Sequence, residues 1–68
     1  MSVGNIIKKI RLECGFEVSE MALILGVDKQ TIYQYEAGKR YPRPLIVRKL
    51  LDIAKKRKMK VTADNFLD

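Results

Sequence analysis

Residues 18–40 read VSEMALILGVDKQTIYQYEAGKR, and this stretch decides the fold. Met21, Ala22 and Leu25 recur at helical spacing, as do Ile32 and Tyr35 further on. The pattern predicts two short helices joined by a tight turn at Gly26-Val27-Asp28. Asp28 has N-cap chemistry, because its carboxylate can accept from the free N–H groups two and three residues on. Gly38 suits the left-handed position just past a helix end. Between those two residues lies a helix, Lys29–Ala37, whose inner face carries Ile32 and Tyr35. Its outer face carries Lys29, Gln30, Tyr33 and Gln34, polar side chains long enough to reach base edges in a duplex groove.

Upstream, Ile6, Ile7, Ile10 and Cys14 share one face of a predicted helix over 5–14, with Asn5 as its cap and Gly15 as its end. Met1 to Asn5 reads as a frayed start. Leu12 lies off the stripe, as an edge residue or a contact with another chain. The second helix starts near Glu17 or Val18, although Ser19 also has cap chemistry. Of Leu23 and Ile24, one is expected half exposed. Downstream, Gly38 to Arg43 is a charged, proline-bearing loop. Pro44 fits the first position of a fourth helix running to about Lys56, with Val47, Leu50, Leu51 and Ala54 as its core face. The run KKRKMK (55–60) reads best as a solvated helix end, with a nuclear-localisation signal or a DNA-backbone contact as alternatives. Thr62 caps a last short helix, Ala63–Leu67. The expectation is a single all-α domain over 1–68, a compact bundle of five short helices without strands.

Sixty-eight residues bury only about 60% of the unfolded surface, so the stability margin is thin. Intrachain disulfides are excluded because Cys14 is alone, and a metal site is not expected from one thiol and no histidine. Helix packing and a partner chain remain as sources of stability. The lone cysteine, read as a buried small hydrophobe, fits a reducing cytoplasm. No apolar run approaches the ~20 residues of a membrane span. Fourteen Lys and Arg against eight Asp and Glu give +6, which favours an anionic partner. Lys39, Arg40 and Arg43 follow directly after the proposed reading helix and would add sequence-independent affinity by releasing counterions. No nucleophile–base frame and no phosphate-cradling glycine loop points to an enzyme, a cofactor or a small-molecule ligand. Arg11 and Glu36 both lie beside the apolar stripe, where an unpaired charge is costly, which favours their pairing.

These features, taken in order, resemble the Cro/C1-type (XRE) helix-turn-helix family, with a lambda-repressor-like fold. The resemblance runs from about Ile7 to Ala54. It is carried by Arg11 with Gly15-Phe16, Glu20-Met21-Ala22, Leu25-Gly26-Val27, Thr31-Ile32, Tyr35-Glu36, Gly38-Lys39-Arg40 and Pro42. It implies that the second helix crosses the DNA backbone and the third enters the major groove. By position it implies base contacts from Lys29, Gln30, Tyr33 and Gln34, and backbone contacts from Thr31, Lys39, Arg40 and Arg43. It also implies an Arg11–Glu36 salt bridge tying the first helix to the third. Two positions depart from the family. Glu17-Val18 stand where a cap and a backbone-binding Gln are usual, and a carboxylate is unfavourable beside a phosphate. Tyr33 is bulky for base reading and suits a sugar or a thymine methyl. The expected function is a sequence-specific regulator, a repressor binding a near-palindromic operator as a homodimer in the cytoplasm of a bacterial or phage-infected cell. The dimer surface is expected at Met59, Val61, Phe66 and Leu67. The alternative is an antitoxin or other protein-interaction module on the same fold.

Overall fold

The computed structural model describes residues 2–67. Four α-helices follow in order: α1 (Val3–Glu13), α2 (Val18–Leu25), α3 (Lys29–Glu36) and α4 (Pro44–Lys56). A single 3-10 turn, Ala63–Phe66, closes the chain, so the fifth α-helix expected there is not formed. Four residues are too few for an α-helical nucleus, and the tighter hydrogen-bonding pattern suits such short pieces. No strand occurs among the described residues.

α1 starts two residues earlier than its apolar stripe suggests. Ser2, not Asn5, is the cap, and its hydroxyl accepts from the Asn5 N–H at 3.2 Å. The early start has a purpose that Gly4 makes clear. Gly4 is buried inside α1 rather than frayed, and a Cβ there would lie 2.6 Å from the carbonyl oxygens of both Tyr35 and Glu36. The N-terminal turn of α1 therefore sits directly on the C-terminal carbonyls of α3. The positive end of one helix dipole faces the negative end of the other.

α2 begins from Glu17, whose backbone N–H donates to the Glu20 carboxylate at 2.9 Å. It ends at Gly26, whose left-handed backbone (φ 74°) lets the Val27 N–H reach back to the Ala22 carbonyl at 2.9 Å. That reversal turns the chain into α3 within three residues. Gly38 closes α3 in the same way, with the Lys39 N–H on the Gln34 carbonyl at 2.9 Å.

The core is one cluster drawn from all four helices and the closing turn. Its members include Ile7, Ile10, Met21, Leu25, Ile32, Leu50 and Phe66, each no more than 1% exposed. Cys14 is buried with them. On α4 the buried row is Ile46, Leu50 and Ala54, spaced four apart. Val47 and Leu51, expected in the core, are only half buried. Val47 and Leu51 pack at the edge of the core and share an open groove with Pro42 and Phe66. On α2, Leu23 and Ile24 are 84% and 43% exposed, so both face outward. Of the expected dimer surface, Phe66 closes the core instead, and Met59 and Val61 pack against it. Only Leu67 is free, at 73% exposed.

Replacing Gly4 by Ala tests the close contact of α1 with α3. A new methyl against two backbone carbonyls cannot be relieved by a rotamer change. Thermal or urea unfolding should show a loss of about 1–3 kcal/mol, despite the better helix propensity of Ala.

Candidate nucleic-acid interface

α3 is held on two sides and open on the third. Ile32 and Tyr35 point into the core against α1 and α2, at 0% and 3% exposure. Lys29, Gln30 and Tyr33 are exposed, and Gln34 is half buried at the edge of the same row. Positions 29, 30, 33 and 34 form one stripe because residues three and four apart share a helix face. The four side chains expected at base edges are thus brought together on the free side.

The start of α3 is fixed by Asp28. Its carboxylate Oδ1 accepts from the Thr31 N–H at 2.8 Å and from the Thr31 hydroxyl at 2.6 Å. The hydroxyl bond, the backbone bond and the nearby charge of Arg40 together hold the Asp28 carboxyl below its ordinary pKa. Thr31 itself is 8% exposed. Its hydroxyl proton is used within the protein, where it braces the helix start.

The end of α3 is fixed by Arg11. Its Nε donates to Glu36 Oε2 at 2.7 Å and its second terminal nitrogen to Oε1 at 3.2 Å, a two-point pair. The remaining terminal nitrogen donates to the Phe16 carbonyl at 3.1 Å. One guanidinium thereby links α1, the α1–α2 corner and α3. The two side chains are 13% and 11% exposed, and the bond to Glu36 raises the Arg11 pKa further.

Around the helix lie the loop cations. Lys39, Arg40 and Arg43 are all exposed. Arg40 and Arg43 line a cleft of about 430 Å³ that also takes in Asp28, Thr31 and Lys49. Lys39 and Arg40 line a second cleft of about 360 Å³ against Ser2 and Gly4. Lys49 of α4 joins this cationic rim. Its amine reaches the Leu25 carbonyl at 3.4 Å, at the free end of α2. Glu17 is the cap residue of α2 through its backbone N–H on Glu20, and its own carboxylate makes no cap hydrogen bond.

A protein-family model described as helix-turn-helix matches residues 7–58, well over half of the chain. The chain belongs to the Cro/C1-type (XRE) helix-turn-helix family. No curated protein and no solved structure matches it. As a member of this family it is a DNA-binding regulator of transcription whose partner is the double helix. Among the described residues no helix is long and apolar enough to cross a membrane.

The Arg11–Glu36 pair should act as a unit. Glu36→Ala leaves a largely buried guanidinium without its partner and should cost about 2–3 kcal/mol by urea unfolding. The double variant Arg11→Met with Glu36→Leu should recover most of that loss, because desolvation of both charges is removed together. Additive losses would show that the pair carries no coupling.

Proposed function

We propose that the chain is a repressor that reads a near-palindromic operator as a homodimer, with α3 in the major groove. Lys29, Gln30 and Tyr33 are the base-reading residues, with Gln34 at the rim. The observation that carries this reading is the open stripe on α3, on a helix whose start and end are both fixed by side-chain bonds. Gln30 can give and accept a hydrogen bond with one adenine, and Lys29 can reach guanine O6 or N7. Tyr33, 57% exposed, offers a flat ring to a thymine methyl or a sugar. Lys39, Arg40, Arg43 and Lys49 neutralise phosphates on either side of the groove. Thr31 supports them by holding the start of the helix.

The size of the chain supports a dimer. The longest extent of the described residues is 26 Å, below the ~34 Å of one turn of duplex. One chain therefore reads only part of a turn, and two related by a two-fold axis read successive major grooves on one face. An apolar groove of about 510 Å³, walled by Tyr41, Pro42, Pro44, Val47, Leu51 and Leu67, suits the second copy. It adjoins Arg43, so a partner seated there continues the DNA-facing surface. Repression requires only that the operator be occupied, and the site of action is the cytoplasm of a bacterial or phage-infected cell.

Selection of bound sites from random duplexes tests this reading. The expected product is two inverted half-sites with centres about 10 base pairs apart. In gel-shift titration Gln30→Ala should weaken binding to the selected site by about 5- to 150-fold, with little change on random sequence. No enrichment, or equal loss on all sequences, would defeat the specificity claim.

A further inference from the structure

Lys9 and the five cations from Lys55 to Lys60 stand apart from the reading surface, six of the chain's fourteen Lys and Arg residues. All six are exposed. Four of them, Lys9, Arg57, Lys58 and Lys60, come together where Arg57, the residue that ends α4, donates to the Cys14 carbonyl at the end of α1 at 3.3 Å. A cleft of about 350 Å³ forms there, lined by these four cations with Glu13, Met59 and Val61. Glu13 is its one acidic lining residue. The only ion pair among the described residues is Arg11–Glu36, so this cluster is not neutralised within the chain.

The cluster lies across the fold from α3. On α1, Gly4 and Arg11 contact α3. Lys9 is five residues after one and two before the other, which at about 100° per residue turns it to the opposite side of the helix. The molecule is 19 Å across at its narrowest, more than twice the ~8 Å over which exposed charges are screened at physiological salt. The cluster therefore adds little to the hold on DNA lying against α3, and its field serves another anion. Lys58 takes a left-handed backbone (φ 55°), unusual for a residue with a side chain, and it puts a cation at the tip of the turn. Met59 and Val61, the apolar members of this segment, are turned onto the core. That leaves no side chain of the segment to enter a bilayer, so a rigid polyanion fits better than a lipid surface.

We propose that this face is a second, sequence-independent phosphate-binding surface for a length of duplex other than the one α3 reads. One chain can then hold two segments of DNA, its operator on α3 and a flanking or distant segment on the α1–α4 corner. The proposal rests on the DNA-binding reading only for the choice of duplex as the polyanion.

Amine acylation of the intact chain, read lysine by lysine by mass spectrometry, tests it. With excess random-sequence duplex at low salt, Lys9, Lys58 and Lys60 should react at least about threefold more slowly, the protection fading as salt rises. Unchanged reactivity at these three lysines overturns the proposal, whatever Lys29 and Lys39 do. Protection of Lys29 and Lys39 reports the reading helix, so failure of either surface is seen at its own residues. Stronger protection by vesicles containing phosphatidylserine than by duplex assigns the face to lipid and also overturns it. The triple variant Lys9→Gln, Lys58→Gln, Lys60→Gln changes only exposed side chains. On long random duplex its log K against log salt slope should be shallower by roughly 2–3, and an unchanged slope contradicts the proposal.

Discussion

The contact of α1 with the far end of α3 is the constraint on which the rest of the molecule depends. It has two parts. Gly4 lets the first turn of α1 rest on the terminal carbonyls of α3, and Arg11, two turns later, grips Glu36 at the same end. α3 is only eight residues long, too short to be helical on its own in water. Its shape is imposed by Asp28 at one end, by α1 at the other and by Ile32 and Tyr35 beneath. A row of side chains can read bases only if its backbone is already fixed, since ordering it on binding would subtract from affinity.

Much of this was legible in the sequence, for identifiable reasons. The caps and turns carry their own chemistry, so Asp28, Gly26, Gly38 and Pro44 mark the ends of helices without help from distant residues. The inner and outer faces of α3 follow from spacing alone. What was not legible depends on contacts between segments far apart in the chain. Gly4 reads as a loose terminus until α3 is laid against it. Ile46, rather than Val47 or Leu51, joins the buried row of α4, and the spacing alone allows either row. Phe66 itself reads equally well as a dimer contact or as a core plug, and the choice is made by the short turn that folds it inward. Thr31 shows the same limit at the site. Its type fits a phosphate contact, and its bond to Asp28, which braces the helix start, shows only once the chain is folded.

The positive charge is divided between two faces. Lys39, Arg40, Arg43 and Lys49 surround the reading helix, whereas Lys9 and the end of α4 form a separate corner. Net charge alone does not distinguish a basic protein from one with two anion-binding faces, and the second group comes together at the Arg57–Cys14 bond.

The central claim is that the open side of α3 meets base edges. An NMR study of the chain on its selected duplex, looking for close contacts between protein side-chain protons and base protons, tests this most directly. The account predicts contacts from the Gln30 side-chain amide and the Tyr33 ring to protons on the major-groove edges of bases, including thymine methyls. Contacts from Lys29, Gln30 and Tyr33 confined to sugars, or absent while Lys9 and Lys58 touch the duplex, would contradict it.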